Sequence, residues 1–151
     1  MITLMALTLS AASAKPVSDA HEKPECALTQ AVLADLASSH HLAGKEILMD
    51  AGSEENRTSI FTLCPNLLKS LPARIRIATE AEIARKEDLT STNPVTIFGL
   101  DVPKISRGGR KAVVSYFFTC NGLCGAGFQT RYEWKRGVWK QVSQPRRMWI
   151  S

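Results

Sequence analysis

V-V-S-Y-F-F-T-C-N-G-L-C-G-A-G-F-Q-T-R-Y-E-W-K-R-G-V-W, residues 113–139, is the stretch that decides the fold. Its first part, from Lys111 to Cys120, reads as a strand with Ala112, Val114, Tyr116 and Phe118 on one face and Val113 and Phe117 on the other. Apolar side chains on both faces mark a strand covered on both sides. Phe128 to Lys135 alternates with period two, so Phe128, Thr130, Tyr132 and Trp134 are expected to face the core and Gln129, Arg131, Glu133 and Lys135 water. Arg136-Gly137 is the tight turn into a further strand, Val138–Ser143. Between the first two strands lies a glycine-rich connection flanked by Cys120 and Cys124. These features together predict an antiparallel meander.

Toward the C-terminus, Gln144-Pro145 breaks the strand and Met148-Trp149-Ile150 closes the chain as a last one. Upstream, Arg107-Gly108-Gly109-Arg110 is a turn, and Val95 to Ser106 holds extended segments interrupted by Gly99 and Pro103. Asp88 to Pro94 is a loop. Thr79 followed by Glu82 is a capping box opening a short helix to about Glu87. Before it, Ala73-Arg74-Ile75-Arg76-Ile77 alternates as a half-buried strand does. Ile60, Leu63, Leu67, Leu68 and Leu71 have helical spacing, but Pro65 interrupts it, and a short helix is expected from Cys64-Pro65. Glu46–Asp50 is a short strand between Gly44 and Gly52, followed by a polar loop, Ala51–Arg57.

The N-terminal helix starts at Pro24, whose missing N–H is harmless in a first turn. Leu28, Val32 and Leu36 recur at i, i+4 and i+8, with Ala31 and Leu33 widening the stripe. It is expected to end through Ser38-Ser39-His40-His41 to Gly44, the imidazoles complementing the negative end of the helix dipole. The architecture predicted is α+β: an N-terminal amphipathic helix and a short capped helix packed on a C-terminal antiparallel β-meander, one domain over residues 24–151.

The first fourteen residues read as an export signal, with an apolar run Ile2–Leu9 and the small residues Ala12-Ser13-Ala14 before the cut; residues 15–23 are a flexible lead-in. No other stretch is apolar enough to span a bilayer, so an integral membrane protein is not expected. A periplasmic or secreted location follows. Four cysteines, Cys26, Cys64, Cys120 and Cys124, point in such a chain to two disulfides, and three pairings are open.

The net charge of +5 is unevenly distributed. From Pro103 to Ser151 ten Lys and Arg face one acid, Glu133, whereas residues 15–102 carry nine bases and thirteen acids. A basic face is therefore expected, or else an acidic half lying against a basic one. Lys104, Arg107, Arg110, Lys111, Arg131, Lys135, Arg136, Lys140, Arg146 and Arg147 make up the basic set, interleaved with Trp134, Trp139 and Trp149. Export excludes nucleic acid as the natural partner, and anionic envelope components such as phospholipid or cell-wall phosphates fit better.

No catalytic constellation assembles. His21, His40 and His41 sit in neither G-x-S-x-G nor H-E-x-x-H, and Glu54-Glu55 and Glu80/Glu82 read as loop and cap. C-x-x-x-C is not the C-x-x-C of thiol oxidoreductases, and zinc would need two further ligands. Neither cofactor nor metal is expected. Gly122, Gly125 and Gly127 would together offer a row of N–H groups to an anion, with Arg131 or Arg136 beside them, but the turn itself is a sufficient reason for glycine.

C-N-G-L-C-G-A-G (120–127), G-V-W (137–139), W-I-S (149–151) and L-P-A-R-I-R-I-A-T-E-A-E-I (71–83) resemble a family of uncharacterised bacterial exported proteins and lipoproteins. That family's C-terminal signature approximates C-G-x-L-C-G-x-G, then a strand, G-x-W and a final W-I-S. The resemblance implies an envelope or secreted location and no particular activity. Asn121 stands where glycine is usual. Cys26 and Cys64 lie outside the signature, so the resemblance pairs them with each other and leaves Cys120 with Cys124. The expected function is a non-enzymatic binding module at the envelope, contacting an anionic component or an envelope protein. Its contact residues would be Asn121, Gly122, Gly125, Gly127, Arg131, Lys135, Arg136 and Lys140. The alternatives are a thiol–disulfide redox protein using Cys120 and Cys124, and an inhibitor of a cell-wall hydrolase.

Overall fold

Residues 23–39, 42, 45–52, 59–90, 92, 95–122 and 124–150 are described by a computed structural model. The expected export signal, the expected lead-in up to residue 22, all three histidines and Glu54-Glu55 lie outside the described residues. Among the described residues three α-helices pack with a mixed sheet, an α+β domain.

Strand β6 (Cys124–Lys135) is the axis of that sheet. On one side it pairs antiparallel with β5 (Lys111–Cys120), from Lys111↔Glu133 to Cys120↔Cys124. On the other it carries two antiparallel partners end to end: β7 (Val138–Gln141) beside Tyr132–Lys135, and β8 (Arg146–Ile150) beside Ala126–Gln129. Ser143 bridges the gap between them. Its Oγ accepts from Arg131 N–H at 3.0 Å and its carbonyl from Thr130 Oγ1 at 3.0 Å, so the edge of β6 keeps its hydrogen bonds where neither strand reaches it. The glycine-rich connection is therefore shorter than the sequence implied. Gly125 and Gly127 are inside β6, paired with Thr119 and Phe117.

The other edge of β5 is shared by β3 (Ile97–Leu100) and β4 (Lys104–Ile105), which Asp101-Val102-Pro103 separates. Beyond β3 the sheet changes character: β1 (Ile47–Met49) pairs parallel with both β3 and β2 (Ile75–Ile77). The meander expectation thus omitted a parallel half. Parallel neighbours need crossover connections of a dozen or more residues, and both are present. From β1 to β2 the chain passes through α2 (Ile60–Leu63) and a 3-10 turn, Pro65–Lys69; from β2 to β3 it passes through α3 (Glu80–Glu87).

The two crossovers run over opposite faces. On the first face Ile60, Phe61, Cys64 and Leu67 join Ile47, Met49, Ile75 and Phe98, together with Cys26 and Leu33 of α1 (Pro24–Ser38). Leu28 and Val32 of the same helix pack with Ala112, Val114, Tyr132 and Trp139. So α1 covers the first face with one stripe split between two clusters. On the second face α3 lays Ile83 over Leu48, Ala78, Val95 and Ile97.

Local chemistry explains most of the helix ends. Pro24 is in the first turn of α1. Thr79 and Glu82 form the reciprocal capping box of α3. Ser59 Oγ accepts from Phe61 N–H at 3.1 Å and starts α2 before Pro65, not at it; the proline opens the 3-10 turn instead. A cation does meet the C-terminal carbonyls of α1, as the dipole asks. It is Arg74, leading into β2, which donates to Ala37 O at 2.6 Å, to Lys45 O and to Leu42 O. Disulfides join Cys26 to Cys64, tying the start of α1 to the end of α2, and Cys120 to Cys124. No described helix is long and apolar enough to cross a bilayer.

Trp134 departs from its core assignment. It shares the first face with Tyr132 but is 40% exposed, set edge-on against Trp139 with ring centroids 5.5 Å apart. It stands next to the hairpin turn, and Trp139 takes the buried place in the cluster with α1.

Candidate functional site

Strand pairing assigns each side chain of the β5–β6–β7 region to a face, because directly opposed residues point the same way. Val113 opposes Arg131, Lys111 opposes Glu133, and Lys140 in turn opposes Glu133. Lys104 opposes Val113, and Arg146 opposes Gln129, which itself opposes Ser115. Alternation adds Lys135 beside Glu133. The second face of the sheet therefore carries Lys104, Lys111, Arg131, Lys135, Lys140 and Arg146, all exposed, with the acids Glu133 and Asp101, the latter continuing β3 opposite Ser115. Glu133 is claimed by Lys135 Nζ at 2.8 Å, and that hydrogen bond lowers its pKa. The apolar side chain of α3 packs on the parallel strands and β3, and the helix meets β5 at the hairpin-tip end, through Asn121.

Two aromatic rings lie among these cations. Gly99 and Gly127 sit where a Cβ would run into neighbouring rings: 2.1 Å from Phe117 Cζ at Gly99 and 2.1 Å from Trp149 Nε1 at Gly127. Each glycine is thus the floor on which a ring rests. Trp149 is 44% exposed, so its indole is presented at the edge of the basic field.

The remaining residues singled out from the sequence fall elsewhere. Asn121 and Gly122 form the tip of the β5–β6 hairpin, with Gly122 at φ +76° in the region glycine tolerates. That tip and the β6–β7 turn at Arg136-Gly137 are at opposite ends of β6, about 36 Å apart at roughly 3.3 Å per residue. The proposed continuity of the Cys120–Gly127 connection with the basic hairpin is therefore replaced by a surface running along the strands. Lys104, Lys111 and Arg146 belong to it although the hairpin alone did not indicate them; only the register shows that they share a face. Gly125 and Gly127 lie within paired strand, opposite Thr119 and Phe117, and not in the turn with Gly122.

Asn121 is committed to the fold. Its Oδ1 accepts from Val95 N–H at 2.7 Å, and its Nδ2 donates to Arg85 O at 2.7 Å and Asp88 O at 2.9 Å. One amide thereby ties the hairpin tip to the end of α3 and the entry to β3. Cys120 ends a strand and Cys124 begins one, and the two are directly opposed and bonded. Neither stands at a helix N-terminus of the kind that lowers a thiolate pKa.

On the first face Tyr132 is buried with its hydroxyl donating to Asp35 Oδ2 at 2.9 Å. Burial, then the Asp35 hydrogen bond, pushes the Tyr132 phenol far above its ordinary pKa. Burial alone raises that of Tyr116. Among the described residues no three His, Cys, Asp or Glu side chains converge as metal ligands would. Comparison with protein-family models, with curated proteins and with solved structures gives no match.

Proposed function

We propose that this protein is an exported, disulfide-stapled binding module that takes a phosphate-bearing polyanion of the cell envelope on the basic face of its sheet. The observation that carries the reading is the register, which gathers six exposed cations onto one sheet surface with two acids, Asp101 and the already-paired Glu133. Cations held at fixed spacing by paired strands raise the local concentration of a polyanion and bind it in a salt-dependent way. The two disulfides agree with an oxidising compartment, and the resemblance to exported envelope proteins points the same way.

Binding of the full chain to two probes tests this: long-chain inorganic polyphosphate, and vesicles containing phosphatidylglycerol. Binding to at least one probe is expected, falling steeply as salt is raised from about 50 to 200 mM. The triple variant Lys111→Gln, Arg131→Gln, Arg146→Gln should lose about tenfold or more in affinity while keeping its circular dichroism. Polyphosphate without vesicles would identify a soluble or wall-borne phosphate polymer; vesicles without polyphosphate would identify lipid headgroups. Unchanged affinity in the triple variant would overturn the proposal. So would salt-resistant recovery of a single envelope protein, the behaviour of a hydrolase inhibitor.

A further inference from the structure

Strand β8 is irregular at one point. Trp149 opposes Gly127 and Arg147 opposes Phe128, which leaves Met148 as an extra residue between them. On a regular strand Arg146 and Trp149, three residues apart, would point to opposite faces. The bulge turns both to the basic face, Arg146 opposite Gln129 and Trp149 opposite Gly127. The indole then lies down on the sheet. A Cβ added at Gly127 would be nearest Trp149 Nε1, with the flanking atoms Cε2 and Cδ1 at 2.5 and 2.8 Å. A ring approaching edge-on would hold those flanking atoms farther off, so one face of the indole is against the backbone. With Trp149 44% exposed, its other face is open to solvent. Phe117, half-buried, rests on Gly99 in the same way, at the same level of the sheet.

Chemistry changes in order along the strands from this level. The next second-face level holds Asp101, Ser115, Gln129 and Arg146, and the one after it Lys104, Val113 and Arg131. Successive levels are about 7 Å apart at roughly 3.3 Å per residue. A ligand laid along the strands therefore meets an aromatic plane, then a carboxylate, a hydroxyl and an amide beside a guanidinium, then cations. A sugar ring offers an apolar C–H face to the indole and hydroxyls that donate and accept, which is what the middle level can answer. Phosphates suit the cations beyond. Bare polyphosphate has nothing for the indole or for Asp101, and a glycerol headgroup has no ring to stack.

We infer that the polyanion taken by this face is a glycopolymer in which sugar rings accompany the phosphates, with Trp149 as the sugar subsite. The inference rests on the binding function proposed above and names its ligand. Trp149 stacks on the ring, Asp101, Ser115 and Gln129 meet its hydroxyls, and Arg146 and Arg131 take the adjoining phosphates.

Two soluble probes of equal charge separate the sugar from the phosphate when titrated into the full-length, oxidised chain: phosphorylated dextran and polyphosphate. Phosphorylated dextran is expected to bind about tenfold more tightly, the order of gain that stacking on one aromatic ring gives, and to shift the Trp149 indole N–H resonance. Polyphosphate should leave that resonance in place. Trp149→Ala should bring phosphorylated dextran down to the affinity of polyphosphate, while Trp149→Phe, which keeps a smaller ring on Gly127, should retain part of the difference. Equal affinity of the parent for the two probes, a Trp149→Ala variant that keeps the preference, or an unmoved indole resonance would each overturn the sugar subsite. Salt-dependent polyphosphate binding would persist in those cases if the basic-face reading is sound, and its absence would mark the failure of that reading instead. Oligothymidylate bound more tightly than phosphorylated dextran, and through Trp149, would assign the platform to nucleobases and likewise overturn the proposal.

Discussion

Asn121 and Glu82 show how single side chains join distant parts of this chain. With all three polar contacts of its amide used inside the molecule, Asn121 fastens α3 to the tip of the β5–β6 hairpin. Asn121→Ala should cost about 2 kcal/mol, since it strands the Val95 N–H in a partly buried position and removes two exposed hydrogen bonds to carbonyls. For a domain of this size that is about 4–8 °C in Tm, and amide exchange in Glu80–Glu87 should quicken more than exchange in β5. Glu82 is bidentate to Arg76, at 2.8 and 2.7 Å, and also receives Thr79 N–H. The Arg76 hydrogen bonds lower its pKa from 4.5 to about 2. Its contribution is therefore fully present above pH 4.5 and is lost as pH falls toward 2. Urea midpoints measured across that window should drop in the parent, whereas Glu82→Gln should be less stable near neutrality and drop less over the same range, the remaining slope coming from Asp88 and Glu133.

At the level of elements, the two hairpin ends of β6 are held by different means. Arg136 has φ +53° and Gly137 φ +83°, the pair of positive values that a two-residue turn compatible with strand twist requires. Glycine meets this without strain and arginine does not. Arg136→Asn should raise stability by about 1 kcal/mol, read as a higher Tm. At the other end the Cys120–Cys124 bridge closes a very short loop beside an already complete ladder, whereas Cys26–Cys64 spans 38 residues and ties α1 to α2 on the first face. In the chain-entropy account the short bridge is worth about 2 kcal/mol and the long one about 4 kcal/mol. Chemical denaturation of Cys120→Ser/Cys124→Ser and of Cys26→Ser/Cys64→Ser should show that order. A larger loss from the short bridge would indicate strain relief or residual structure that loop length does not describe.

Across the whole molecule, the sheet separates two unlike surfaces: cations along the second face of the antiparallel half, and apolar clusters beneath α1 on the first. Much of the scaffold between them could be read locally. Period-two alternation marked β5, β6 and β7, the Thr79/Glu82 box placed α3, and Pro24 with the Leu28–Val32–Leu36 repeat marked α1. Less could be read of the site. The excess of lysine and arginine after Pro103 was visible, but not that Lys104 and Arg146 flank Arg131, because neither is near it along the chain.

Taken by itself, the amino-acid sequence determined which segments become helix or strand, where they are capped and turned, and how charge is distributed between the halves of the chain. Those properties depend on side chains within a few residues of one another, so alternation, capping and turn chemistry express them directly. Tertiary structure alone decided the parallel pairing of β1 with β2 and β3, the burial of Trp139 in place of Trp134, and the use of Arg74 as the cap of α1. Each of these brings together groups far apart in sequence, and their partners exist only once the crossovers have carried the chain over both faces of the sheet.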